Sequence, residues 1–268
     1  MSWQQRAPGV FHRQGPSGHT VAIVGSLHGD EPAGALIIDR LRAWTPGQWS
    51  ACPHSVVLAV GHPDALAIGR RTLPGGVDLN RSFGIHGASE RARVLQTHLA
   101  DADVLLDLHQ THRPIPPLAV LPADGSGRRL ARRLGLEVAV ANASLVYGDA
   151  MLADWAVRRG AEALTVELGA VGDPGCVARG LGLARAALFD ERHDRPLRCW
   201  RITRILRAPG AGLRFVRPLA NESPVAAGER IAESAAGDLF APADGVVFLP
   251  REGVAIGDAA ALFAEAFS

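Results

Sequence analysis

The chain contains no lysine: all 28 basic side chains among its 268 residues are arginine. A phosphate-cradling P-loop, a Schiff-base enzyme and a biotinyl or lipoyl carrier each need a primary amine, so those chemistries are excluded. Cysteine is scarce. Cys52, Cys176 and Cys199 are odd in number, far apart and without a CxxC partner, which argues against a disulfide framework and a thiolate zinc site and fits reduced thiols. The formal net charge is +1 and neither sign forms a long run, so the basic stripe of a nucleic-acid or membrane-surface binder is missing. No apolar run reaches bilayer-spanning length, and the opening Met1-Ser-Trp-Gln-Gln-Arg-Ala-Pro8 lacks the apolar segment of a secretion signal, so the expected location is the cytoplasm. What is present is 47% hydrophobic residues and a mean hydropathy of +0.09, enough to bury one large core, or one core and a small satellite. The expected partner is a small neutral or anionic molecule, with no nucleic acid and no membrane.

From Thr20 to about Phe189, runs rich in Val, Ile and Leu alternate with helix-like segments, the texture of an α/β sheet covered on both faces. The pattern predicts strands from Thr20 to Gly25, Ser55 to Val60, Val104 to Leu108, Leu118 to Leu121 and Ala163 to Leu168. It predicts helices from Pro32 to Ala43, with Asp30 and Glu31 at its start, and from Ser89 to Ala100, Gly127 to Leu134, Ala150 to Arg159 and Pro174 to Asp190. After Arg192 the texture changes. Short alternating runs such as Arg201 to Leu206 and Gly245 to Leu249 are broken by Pro-Gly, Ala-Gly and Asp-Gly turns, which points to a small all-β module. A boundary near residues 193 to 199 divides the chain into an α/β unit over 1–195 and a β-rich unit over 196–268.

Two segments carry the chemistry. Gly25-Ser-Leu-His28-Gly-Asp-Glu31 offers an imidazole and a carboxylate where an apolar strand runs out into a turn, and positions i and i+3 can share a face there. Leu105-Leu-Asp107-Leu-His109 ends a second apolar strand in a histidine. His28, Glu31 and His109 together form the three-donor set of a catalytic zinc, which keeps a fourth position for water. Taken alone, His-x-x-Glu is common by chance, and either histidine could simply finish a strand. Gly25 and Gly29 flank His28 and let the backbone approach closely. Asp107 shares a strand face with His109 by the period of two and suits a partner that fixes a ligand imidazole. His112 makes a competing His-x-x-His pair with His109 and ranks second, because Thr111 to Pro117 reads as loop.

Asp78-Leu-Asn80-Arg81-Ser-Phe83 sets a planar amide beside a guanidinium, a pair suited to a substrate carboxylate, although an ordinary solvated loop explains the composition as well. Arg70 and Arg71 lie just upstream and offer a cation to polarise a carbonyl. Glu167 interrupts the apolar run Ala163 to Gly169, where a charge is costly unless paired or used. It is a candidate general base, with a strand-end salt bridge as the plain alternative.

In order, GSLHGDE, DLNRSF, LLDLH and LTVELG resemble the succinylglutamate desuccinylase and aspartoacylase family of zinc deacylases, relatives of the zinc carboxypeptidases, over about residues 20 to 190. The resemblance implies a carboxypeptidase-like mixed sheet flanked by helices and one zinc ion per chain on His28, Glu31 and His109. It further implies Glu167 as catalytic base, Asn80 and Arg81 as substrate binders, and Arg71 as the carbonyl-polarising residue, with Arg70 open for that role or for substrate. The reaction implied is hydrolysis of the amide of a small N-acyl amino acid carrying a carboxylate. A carboxypeptidase acting on short peptides and a catalytically silent ligand binder are the alternatives. Ser223 to Ile231 and Phe240 to Val247 resemble the barrel-sandwich half of such deacylases, similar to biotinyl and lipoyl domains. Without lysine that half cannot be a carrier, which leaves it the shaping of the site mouth or the assembly of a homo-oligomer. Arg158 and Arg159 are further candidates to grip the substrate acid, and Gly61-His-Pro-Asp-Ala65 stands where the family has Asn-Pro-x-Ala.

Overall fold

The computed structural model describes residues 2–84, 89–193 and 195–267. Its strands, in chain order, are β1 (Gln4–Ala7), β2 (Val10–Arg13), β3 (Thr20–Gly25), β4 (Ser55–Val60), β5 (Val104–Thr111), β6 (Leu118–Leu121), β7 (Val138–Ala141), β8 (Glu162–Ala170), β9 (Arg198–Arg207), β10 (Arg214–Phe215), β11 (Ser223–Val225), β12 (Arg230–Ser234), β13 (Gly237–Phe240), β14 (Gly245–Phe248) and β15 (Ala259–Ala266). Among the described residues twelve of them form one sheet in the order β1-β2-β4-β3-β5-β8-β6-β7-β9-β15-β14-β11. The central β4-β3-β5-β8 pairings are parallel, whereas β6 returns antiparallel against β8, so the sheet is mixed. A separate antiparallel sheet, β10-β12-β13, lies in the last third of the chain.

Period-two alternation explains the two cores. On β3, Val21 and Ile23 face helices Ala33–Arg42 and Gly175–Leu188, while Ala22 and Val24 face the side of helices Glu90–Leu99 and Leu152–Arg158. On β5 the even positions Val104, Leu106 and Leu108 join the first cluster and Leu105 the second, which puts Asp107 and His109 on the second face. β8 repeats the scheme, with Leu164, Val166 and Leu168 on the first face and Ala163 on the second, the face that Thr165 and Glu167 share. Side chains such as Ile23, Leu58 and Leu105 are fully buried, each stabilising the fold by about 1.5–3 kcal/mol relative to exposure.

Helix Ala33–Arg42 crosses the end of β3 at closest range where two glycines meet: a Cβ on Gly25 would lie 2.5 Å from the Gly34 Cα. The expected helix start is corrected here. Pro32 occupies the cap position, no side chain caps the helix, and neither Asp30 nor Glu31 lies in its first turn, because Glu31 is turned toward the histidines. The remaining expected helices appear within a few residues of their predicted ends, and β5 extends beyond Leu108 to Thr111, so His109 lies inside the strand. The structure adds short helices at Pro46–Ser50, Pro63–Ala67 and Ser144–Tyr147 and the four-residue strands β1, β2 and β7, which lack the pair of flanking prolines that marks β6. Of the expected boundary, Asp194 lies outside the described residues. Beyond it β9 pairs in parallel with β7, and β15, β14 and β11 extend the main sheet. No helix among the described residues is long and apolar enough to cross a membrane.

Candidate metal centre and active site

Parallel pairing brings the two key segments together. Gly25, the last residue of β3, is in register with Leu108 on β5, and on the other side His109 is in register with Glu167 on β8. The loop leaving β3 therefore opens beside His109, at the carboxyl ends of the strands, where α/β sheets carry their ligands. That loop is bent by Ser26, a fully buried residue at φ 54. Its hydroxyl donates to the Glu31 carbonyl at 2.7 Å and accepts from the Ala35 N–H at 3.0 Å, which offsets the cost of a left-handed non-glycine residue. Gly25 and Gly29 serve close packing instead: a Cβ on Gly29 would run into the Ala65 backbone.

His28, Glu31 and His109 offer ligand atoms that all lie within 4.8 Å of one another, and each residue is only 3% exposed. His28 Nδ1 is 2.7 Å from Glu31 Oε1, and His109 Nδ1 is 2.9 Å from Glu31 Oε2. The far nitrogens are held by other carboxylates: His28 Nε2 by Asp78 Oδ1 at 3.0 Å, and His109 Nε2 by Asp107 Oδ2, also at 3.0 Å. All four imidazole nitrogens thus face carboxylates, which only accept; were a metal ion held at the Nδ1 atoms with Glu31, each Nε2 would remain the donor, to Asp78 and to Asp107. Two imidazole nitrogens and one carboxylate, each imidazole backed by a second carboxylate, fit a divalent zinc, and also Co²⁺ or Ni²⁺.

The electrostatics agree with a cluster that attracts positive charge. Burial alone would raise Glu31, yet the His109 charge and hydrogen bonds from both imidazoles hold its carboxyl well below the carboxylate range. For Asp78 burial likewise acts upward and is outweighed by His28 and Arg71. Burial would lower His109, but Asp107 and Glu31 hold it well above the usual imidazole value.

Around this group the remaining candidates fall into place unequally. Arg71 Nη2 donates to Asp78 Oδ2 at 2.7 Å, and Arg71 Nη1 is 3.7 Å from Glu31 Oε1, so its cation sits at the cluster's edge. Arg70 is exposed. Asn80 is buried: its Oδ1 accepts from the Leu152 N–H at 2.9 Å, and its Nδ2 lies 3.4 Å from His109 Nε2. Arg81 is half-buried over the Tyr147 ring at 4.5 Å, donates to its neighbour's carbonyl, and has no salt bridge among the described residues. Arg158 is committed to the Asp149 and Phe83 carbonyls, and Arg159 lies over Trp155. His112 is turned away, 60% exposed and paired with Asp30 at 3.0 Å.

Glu167 has its Oε2 shielded from solvent with no hydrogen-bond partner among the described residues. Burial pushes its carboxyl up to about 7, against the nearby His109 charge and with Glu31. The plain alternative, a salt bridge at the strand end, has no partner among the described residues. Four supports of the site are not legible in the sequence. Asp78 was visible in the motif but had no assigned partner. Gln110 donates its N–H to Glu31 Oε2 at 3.1 Å and accepts from the Ala33 N–H at 2.8 Å. Thr165 donates to Asp107 at 3.2 Å, and Tyr147 lies under Arg81. Only tertiary proximity discloses these.

Fold and site together define an α/β protein with a buried group of two histidines and one carboxylate at the carboxyl ends of a mixed sheet, the donor set of a metal site. A model of the succinylglutamate desuccinylase/aspartoacylase catalytic domain matches residues 17–177, and the chain belongs to that family. A probable aspartoacylase of Prochlorococcus marinus (strain MIT 9313) is 40% identical over 74 residues, 25% of this chain and 21% of that protein, so the match spans about a fifth of the relative's length. Among solved structures, a succinylglutamate desuccinylase/aspartoacylase from Rhodobacter sphaeroides aligns with a TM-score of 0.73 at 22% identity, covering 96% of this chain and 89% of the other. The product-bound ectoine utilization protein EutE (DoeB) from Ruegeria pomeroyi aligns with a TM-score of 0.76 at 20% identity, covering 96% and 88%. At that identity the likeness is one of fold.

Proposed function

We propose that this protein is a zinc-dependent deacylase that hydrolyses the amide bond of a small N-acyl amino acid or related compound carrying a carboxylate. The observation that carries the reading is the meeting of His28, Glu31 and His109 beside a glutamate whose Oε2 has no partner among the described residues. Bound by those three residues, zinc would supply Lewis acidity and make water a nucleophile at neutral pH.

The chain's own groups supply the rest. Glu167, with a proton affinity raised to about 7, takes the proton of the attacking water and returns it to the leaving amine nitrogen. The Arg71 guanidinium, beside Asp78 and Glu31, faces the charge that develops on the carbonyl oxygen. Arg81, without a salt bridge among the described residues, forks a substrate carboxylate. Asn80 orients it from beside His109, and exposed Arg70 lies at the outer rim. Asp107 and Asp78 keep the ligand imidazoles in one tautomer. Residues 1–195 form the catalytic unit in this reading, and 196–268 a β-rich unit that shapes the mouth or joins copies. A cytoplasmic location is supported by three free cysteines.

The test is turnover of a panel of N-acyl amino acids beside dipeptides, before and after chelation. Hydrolysis of an acyl amino acid, lost on chelation and restored by zinc, supports the reading. Turnover of dipeptides alone makes the protein a peptidase, and no turnover of either makes it a binding protein.

A further inference from the structure

At the opposite end of the parallel strands from the metal centre, a second arrangement of reactive groups is assembled. Ser17 Oγ is 3.2 Å from His54 Nδ1, and His54 Nε2 is 2.9 Å from Asp190 Oδ2. The three come from distant parts of the chain: the loop before β3, the residue before β4, and the turn after helix Gly175–Leu188. The backbone holds the first two together independently of their side chains. The Ser17 N–H donates to the Pro53 carbonyl at 2.9 Å, and the Ser55 N–H donates to the His19 carbonyl at 3.0 Å. Asp190 sits at φ 52 and also accepts from Arg133 Nη1 at 3.3 Å, so its carboxylate is fixed from a second side.

The proton positions follow from the acceptor chemistry. A carboxylate accepts only, so His54 carries its proton on Nε2 and presents the Nδ1 lone pair to Ser17. Ser17 Oγ accepts from the His19 N–H at 3.3 Å, which leaves its own hydrogen to be donated. The competing acceptor, the His19 carbonyl, lies farther off at 3.5 Å. Nucleophile, base and orienting acid are thus in sequence, with the two imidazole nitrogens exchanged relative to the serine hydrolase arrangement but electronically equivalent. His54 is buried, whereas Ser17 is half-exposed and lines a cavity of about 300 Å³ with Gln14, Thr20, Ser55 and Asp101.

We propose that Ser17, His54 and Asp190 form a second, metal-independent acyl-transfer site that accepts small polar esters. The Ser17 Oγ–H bond breaks as its proton passes to His54 Nδ1, and the oxygen bonds to the ester carbonyl carbon. The C–O bond to the alcohol breaks, and the leaving oxygen takes the proton from His54. Water then gives a proton to the same nitrogen and its oxygen bonds to the acyl carbon; the Ser17 Oγ–C bond breaks, Oγ takes the proton back from His54, and the acid leaves.

The experiment treats the purified protein, its metal content measured, with a fluorophosphonate probe and reads intact mass and the modified peptide. One adduct per chain on Ser17 is expected, absent in Ser17→Ala and formed about 100-fold more slowly in His54→Gln and Asp190→Asn. Asp190 is half-exposed, so its variant remains informative if replacing buried His54 disturbs folding. No adduct, an adduct elsewhere, or an unchanged rate in Asp190→Asn would overturn the proposal. Neither result depends on whether the metal centre hydrolyses N-acyl amino acids.

Discussion

Asp78 Oδ1 lies 3.0 Å from Nε2 of His28, across fifty residues of sequence, while the other oxygen of the same carboxylate accepts from Arg71. One side chain thus sets both the tautomer of a proposed ligand and the place of the proposed oxyanion cation. Asp78→Asn keeps the shape and removes the charge, and it should weaken zinc affinity about 10- to 100-fold. A competition titration against a zinc chelator measures this, and turnover under zinc saturation should remain reduced because Arg71 loses its anchor.

Glu167→Gln should keep full zinc occupancy and lose at least ~100-fold in kcat, the lower end for acid/base catalysis. Metal analysis and turnover on one preparation separate the two properties. A fully active variant would remove Glu167 as the base.

The contact between Gly25 and Gly34 gives a prediction about the fold. Gly25→Ala puts a methyl group 2.5 Å from the Gly34 Cα and 2.8 Å from its carbonyl carbon, both backbone atoms that cannot rotate away. A loss of about 1–3 kcal/mol is expected in urea unfolding, with reduced zinc binding, because the shift falls on the loop bearing His28.

Asp154 supplies a pH dependence remote from the centre. It is buried in helix Leu152–Arg158, and its Oδ2 lacks a partner among the described residues. Burial pushes its carboxyl up to about 6, with Arg158 opposing and Asp149 adding. The folded state therefore holds this proton where the unfolded state has released it. The stability it contributes is full below the unfolded value of about 4 and is lost as pH rises through about 6. Asp154→Asn should be more stable than the parent at pH 7.5, by at most about 3 kcal/mol, with the gap shrinking at pH 4.5. Urea unfolding at both values checks the sign.

The sequence makes the site more legible than its surroundings. His28, Glu31, His109 and Glu167 stand at or near the ends of apolar strands, where a polar residue is conspicuous, and period two already pairs Asp107 with His109. What could not be read is anything that depends on which strands are neighbours. Asp78 beside His28, Thr165 beside Asp107 and Tyr147 under Arg81 follow from strand order and loop path, which local pattern does not encode. The same reason explains His112, whose spacing made it a rival ligand until the direction of the chain after β5 turned it toward Asp30. The strands β1, β2 and β7 are four residues each, and so is β6, which is legible because Pro117 and Pro122 bracket its apolar run; no such pair of prolines marks the other three.

Whether His28, Glu31 and His109 jointly hold one divalent ion is decided by elemental analysis of the purified protein beside His109→Ala. With joint binding, one zinc per chain is expected in the parent after dialysis and a small fraction of that in the variant, with both proteins folded by circular dichroism. Full zinc occupancy in folded His109→Ala would contradict it.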